Sequence, residues 1–210
     1  MTDYPADIFS EQPDIDPDTL ANLGPLRGLA GVWEGVKGQD VNPFGDGERR
    51  QAYVERIEAQ PTDPQSNGPQ LFYGLRYHVH VTKPGETETY HDQVGYWLWE
   101  PATGLITHTI AIPRGQVVLA QGRAAADARS FEVTAQRGGT ENGICSTAFL
   151  EYAFRTDSFR MQVTLNGDDS WSYVEDTVLS VRGRSEPFHH TDQNSLRRVG
   201  PPIPNPLARG

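Results

Sequence analysis

Four of the six histidines of this 210-residue chain fall in two pairs, and these pairs carry most of its candidate chemistry. His189 and His190 are adjacent near the C-terminal end. His78 and His80 stand two residues apart, with Glu86 and His91 following. A neutral imidazole can hold a metal ion when its second ring nitrogen is hydrogen-bonded and fixed in orientation. Two imidazoles at positions i and i+2 share one face of a strand, and with a carboxylate they suit a divalent transition metal. Each chemistry has a plainer alternative. His189 and His190 also fit a surface pair in a polar turn that Asp192 solvates, and the residues by themselves favour that.

His78, His80 and Glu86 approximate the metal motif of cupins, which would make the chain a metal-dependent enzyme. The spacing Gly74-x3-His78-x-His80-x5-Glu86 departs from that motif, however. The second cupin motif should place a histidine shortly after Pro113-Arg114-Gly115, and Gln116, Val117 and Val118 stand there instead. Tyr73, Leu75, Tyr77 and Val79 claim the apolar face of the same stretch, which leaves both histidines on a solvated face. No Gly-x-Ser-x-Gly elbow, phosphate loop or dinucleotide fingerprint occurs. Asp168-Asp169 reads as turn chemistry after Gly167. Cys145, between Ile144 and Ser146, reads as a buried structural thiol. Arg76 and Arg160 are candidates to meet a ligand carboxylate, although both oppose the more apolar face.

The elements that must position these residues are strands. By alternation and breaker placement, ten are predicted: roughly 30–38, 50–59, 71–82, 88–99, 105–112, 115–123, 129–137, 144–156, 158–166 and 170–181. Phe159, Met161, Val163 and Leu165 oppose Arg160, Gln162 and Thr164. Tyr73, Leu75, Tyr77, Val79 and Val81 oppose Arg76, His78 and His80. Trp171, Tyr173, Glu175, Thr177 and Leu179 share a face. Pro84-Gly85, Pro101 to Gly104, Pro113 to Gly115 and Asn166-Gly167 separate the runs, and short links imply antiparallel pairing. Such a meander closes most naturally into an up-and-down barrel, which removes its edges. The fold class is therefore all-β: a ten-stranded antiparallel, calycin- or lipocalin-like barrel with a short N-terminal helix. That helix would be capped by Asp16, begin at Pro17 and end at Gly24, with Leu20 and Leu23 turned to the body. The expected organisation is an acidic arm and helix over 1–24, a barrel over 25–199 and a proline-rich tail over 200–210.

Charge and cysteine content narrow the partners. The net charge is −10, and Asp3, Asp7, Glu11, Asp14, Asp16 and Asp18 all precede the first basic residue, Arg27. Neither arm nor body offers the basic footprint that nucleic acid requires. No run is apolar enough for a spanning helix or a signal peptide. A lone cysteine, Cys145, permits no disulfide framework and points to a reducing, cytoplasmic home.

Gly31-Val32-Trp33-Glu34-Gly35, then Gly95-Tyr96-Trp97-Leu98-Trp99-Glu100-Pro101, then Ala111-Ile112-Pro113-Arg114-Gly115, and finally Leu196-Arg197-Arg198-Val199, occur in an order that resembles the nitrobindin family. The resemblance spans roughly residues 26–199 and implies a heme-binding barrel related to fatty-acid-binding proteins. Gly31, Trp33 and Gly35 match the family's opening Gly-x-Trp-x-Gly-x-Gly, while Lys37 takes the last glycine position and Gly38 follows it. Trp33 would plug one end. The resemblance implies ferric heme b on a C-terminal histidine, with peroxynitrite isomerase or nitric oxide chemistry. His190 comes nearest to that role and His189 stands beside it. His190 nevertheless lies six residues before Leu196, where the family pattern has about five, as in a branch lacking the iron-binding histidine. The alternative function is a heme-free barrel holding a small apolar or fatty-acid-like molecule. The partners expected are thus heme or another small molecule, with a homodimer left open.

Overall fold

The computed structural model describes residues 5–45 and 47–204, and it is a closed antiparallel β-barrel. Ten long strands form the wall: β1 (Gly31–Phe44), β2 (Gly47–Pro61), β4 (Gln70–Thr82), β5 (Thr89–Glu100), β6 (Leu105–Ile112), β7 (Gln116–Arg123), β8 (Ser130–Gln136), β10 (Phe154–Leu165), β11 (Ser170–Val181) and β12 (Phe188–Gly200). Two three-residue strands attach at the side, β3 (Gln65–Asn67) to β4 and β9 (Ile144–Ser146) to β7. β12 pairs with both β1 and β11, and β2 pairs with β4, so the ring closes. The loosest seam is between β7 and β8, which share one ladder pair, Gln121 with Thr134.

Alternation sorts side chains as the sequence implies. Tyr73, Leu75, Tyr77, Val79 and Val81 of β4, and Phe159, Met161 and Val163 of β10, are buried. Two predicted elements need correction. The stretch 144–156 is not one strand: it divides into β9, a short helix α2 (Ala148–Ala153) and the start of β10. Ala148, Phe149, Leu150 and Glu151 are adequate helix formers without a period-two pattern, and Glu151 is held by Arg137. The tenth wall strand is instead β12, whose inward positions are mostly polar and so hide the alternation. Cys145 is also corrected. It is exposed, because Ile144 takes the inward position beside it.

The helix α1 (Thr19–Asn22) is capped by Asp18, whose carboxylate accepts from the Ala21 amide at 3.2 Å. Asp16, the predicted cap, instead accepts from the Asp18 amide and the Asn22 side chain, both at 2.9 Å. A 3₁₀ turn (Gly24–Leu29) follows, and Leu23, Leu26 and Leu29 are buried against the barrel end. No helix among the described residues is long and apolar enough to cross a membrane. Of the predicted tail over 200–210, the part beyond 204 lies outside the described residues, as do the first four residues of the arm.

Candidate functional site

The two ends of the barrel differ. At one, Trp33 is buried, donates from its indole nitrogen to the Leu29 carbonyl at 2.8 Å and meets the Trp171 ring edge-on at 6.1 Å. The Arg198 guanidinium covers its ring at 4.2 Å from the centroid. This end is shut. From behind Trp171 and Leu29, a cavity of about 560 Å³ runs toward the other end, where Ile112, Phe149, Leu150, Phe154 and Leu179 make an apolar rim. That volume lies within the range of small-molecule sites.

One wall of the cavity is acidic. Along β12, His190, Asp192, Asn194 and Leu196 point inward, because alternate residues share a face. The His190 Nε2 lies 2.9 Å from Asp40 Oδ1 and 3.4 Å from Asp192 Oδ2. The second Asp40 oxygen accepts from Tyr90 and, at 2.7 Å, from Asn42. Burial opposes the charges of this pair. Hydrogen bonds from His190, Tyr90 and Asn42 nevertheless hold the Asp40 carboxyl below the usual range, while Asp40 and the charge of Asp192 hold the imidazole above its own. Asp192 faces Glu175 directly across the β11–β12 ladder. Burial, then mutual repulsion, raises Asp192 well above an ordinary carboxylate. Burial and the charge of Glu55 push Glu175 up to about 8.

Deeper in the same wall, Glu55 is buried and accepts from the Tyr173 hydroxyl at 3.0 Å and the Asn194 amide at 3.0 Å. Burial lifts its carboxyl to about 7 although both hydrogen bonds favour the charge. Tyr53 and Tyr173 share a hydrogen bond of 2.8 Å. Two glycines make room for this network. A Cβ on Gly35 would lie 2.4 Å from the Asn194 side chain, and one on Gly38 would lie 2.2 Å from the Tyr53 ring. Between them β1 carries a bulge, since Gly35 opposes Glu55 and Gly38 opposes Tyr53. The extra residue explains why Lys37 occupies the expected third glycine position. The inward position has moved to Gly38.

The facing wall is uncharged. His108 stacks on Trp97, with centroids 3.6 Å apart, and its Nε2 meets the Tyr77 hydroxyl at 2.9 Å. Tyr77 donates onward to the Thr109 carbonyl at 2.9 Å and accepts from Gln93 at 2.8 Å. The His108 Nδ1 is buried with no hydrogen-bond partner among the described residues. Burial drives this imidazole down to about 3, so it is neutral.

Of the histidines singled out by sequence, His190 and His91 line the cavity, and the His91 Nε2 lies 3.3 Å from the Gln93 side-chain oxygen. His189 is exposed on the outer face, paired with Asp176 at 2.8 Å. His78 and His80 are also outward, held by Asp92 at 2.9 Å and the Thr89 hydroxyl at 3.0 Å, while Glu86 pairs with Lys83. The structure does not bring these three together as a metal set. Arg160 binds Glu132 outside the barrel, and Arg76 is exposed. Sequence reasoning missed Asp40, Glu55 and His108, and placed Asp192 in a solvated turn. Reading His190-x-Asp192-x-Asn194-x-Leu196 as a period-two face would have turned Asp192 inward.

A family model described as the THAP4-like, heme-binding beta-barrel domain matches residues 22–198. No curated protein matches the chain. Among solved structures, Rv2717c from M. tuberculosis is 20% identical, with a TM-score of 0.60 over 86% of this chain and 97% of that one. At that identity the likeness concerns the fold.

Proposed function

The chain belongs to the THAP4-like, heme-binding beta-barrel domain family, and we propose that this member binds a small amphipathic molecule in its interior without a histidine-ligated heme. One observation carries this reading: the inward histidine is already engaged. Ligation to ferric heme needs a neutral imidazole offering a lone pair to iron, usually with its other nitrogen donating to an acceptor. His190 instead directs Nε2 at Asp40 and Asp192, and both carboxylates favour its protonated form. An apolar porphyrin face would also lie against Asp192 and Glu175, carboxyls with few donors of their own. The residues present do not fit the group, and no peroxynitrite or nitric oxide chemistry is assigned through it.

The rim and the uncharged wall suit an apolar body of ligand, as the heme-free alternative requires. The acidic wall modifies that alternative. A fatty-acid carboxylate would meet Asp40, Glu175 and Asp192, whereas Arg76 and Arg160 lie outside and the two arginines that line the cavity, Arg49 and Arg114, are held by the Phe44 ring and the Tyr90 carbonyl. The polar end of the ligand is therefore one that donates hydrogen bonds. Titration of the purified protein with hemin is expected to give no sharp Soret band that depends on His190. A sharp band lost in His190→Ala would overturn the reading. Native mass spectrometry of gently purified protein is expected to show a small apolar adduct, released by solvent extraction.

A further inference from the structure

The acidic wall crowds carboxylates together with few donors, whatever the organic ligand. Asp192 and Glu175 are register partners on neighbouring strands, both facing the cavity. Like charges directly opposed across a ladder are unfavourable, and more so away from water. Neither carboxylate has adequate donors. Glu175 receives the Thr177 hydroxyl at 3.4 Å, and the one partner of Asp192 among the described residues is the His190 imidazole at 3.4 Å. Two arginines also line the cavity, and each has another partner: Arg114 donates to the Tyr90 carbonyl at 3.1 Å and Arg49 lies over the Phe44 ring at 3.7 Å from its centroid.

Beside this pair, three side chains present ligand atoms of mixed type. The Asp40 carboxylate, the His190 imidazole and the Asp192 carboxylate have one such atom each, all within 4.8 Å of one another. They come from two adjacent strands that are rigidly paired, Asp40 with Asp192 and Val41 with Thr191. Asp40 is further fixed through its second oxygen by Tyr90 and Asn42, the kind of outer support that orients a ligating carboxylate. The set opens onto the cavity, so positions remain for water or a ligand atom.

From this geometry we propose that Asp40, His190 and Asp192 form a non-heme site for a divalent first-row transition-metal ion, with Glu175 as a neighbouring third carboxylate. One nitrogen and two or three oxygens suit zinc or manganese, not a soft thiolate-seeking ion. The ion would replace the His190 Nε2 proton shared with Asp40 and Asp192, so that the carboxylates that deny Nε2 to a heme iron would become its co-ligands. The proposal rests on the reading above in one respect: a heme iron on His190 would claim the same imidazole.

The test is calorimetric titration of chelator-stripped, full-length protein with zinc chloride and, separately, manganese chloride. One site per chain is expected for at least one metal. His190→Ala and Asp192→Asn should each weaken it at least tenfold, whereas a triple His78→Ala, His80→Ala, His189→Ala variant should leave it unchanged. Should an interior variant fail to fold, the wild type still decides. Histidine-ring ¹H–¹⁵N spectra should show the His190 nitrogens shifting with zinc while those of His78, His80 and His189 stay in place. Absence of stoichiometric binding, or binding abolished only by the surface triple variant, overturns the metal site. Neither result touches the ligand-binding reading, which fails separately if hemin gives a Soret band lost in His190→Ala.

Discussion

Trp33→Ala is expected to cost about 3–5 kcal/mol of stability, the range for truncating a buried indole to a methyl group. The magnitude follows from what the side chain does at once. It fills the shut end of the barrel, meets Trp171 edge-on, lies under the Arg198 guanidinium and donates to the Leu29 carbonyl. The last contact also ties β1 to the 3₁₀ turn, so its loss loosens Leu26 and Leu29 from the barrel end. In urea, the midpoint should fall with little change in slope. Because Trp33 lies behind Trp171 and outside the cavity, the stoichiometry of any interior ligand should survive wherever the variant is folded. A loss below about 1 kcal/mol would show that the end is closed by something else.

This separation of a plugged end from a chemical end explains how the fold serves the site. A closed ring gives each inward residue a fixed neighbour on both sides, so β1, β2, β11 and β12 can hold Asp40, Glu55, Glu175 and His190 in one wall. The arrangement is costly, since buried carboxylates face one another with few donors. Proteins that retain such groups commonly use them. The opposite wall, with neutral His108 on Trp97 and the Tyr77 chain of hydrogen bonds, presents aromatic surface to the same space.

The sequence made the barrel legible because most strands bury one apolar face. The alternation of β4 and β10, the Asn166-Gly167 hairpin and the Trp33 plug could all be read without coordinates. The site was less legible for the same physical reason. β12 turns His190, Asp192 and Asn194 inward, polar residues whose pattern looks like a solvated turn, so the strand that carries the site is not legible in the sequence. Asp40 lay beyond the predicted end of the first strand, and the bulge at Val36-Lys37 changes the face on which later residues fall. His78 and His80 drew attention through spacing alone. Their partners, Asp92 and Thr89, are ordinary outer-face contacts.

Glu55→Gln is expected to stabilise the metal-free protein by about 3 kcal/mol at pH 8 and by less than about 1 kcal/mol at pH 5. The Glu55 carboxyl is raised from 4.5 to about 7, chiefly by burial. Between those values the folded chain keeps a proton that the unfolded chain gives up, so stability falls as pH rises through that window. Above about 7 the folded form ionises as well, and the loss is complete. Glutamine keeps an oxygen for Tyr173 and Asn194 but carries no charge to bury, so the variant should escape this loss. His108 acts in the opposite sense. It is held down to about 3, while the unfolded imidazole takes its proton near 6.5, so its contribution is lost as pH falls between those values. From about pH 4.5 to 6.5 the two slopes oppose each other in the wild type, and removing the Glu55 slope should expose that of His108. Glu175 responds to the same change: burial and then the charge of Glu55 push it up to about 8, so Glu55→Gln should also relieve part of its alkaline loss, which adds to the gain at pH 8. Thermal melts in chelator-containing buffer should show the variant on the order of 10 °C higher at pH 8, given the usual 2–4 °C per kcal/mol for chains of this size. An equal melting temperature at both pH values would mean that Glu55 is charged throughout, satisfied by Tyr173 and Asn194 alone.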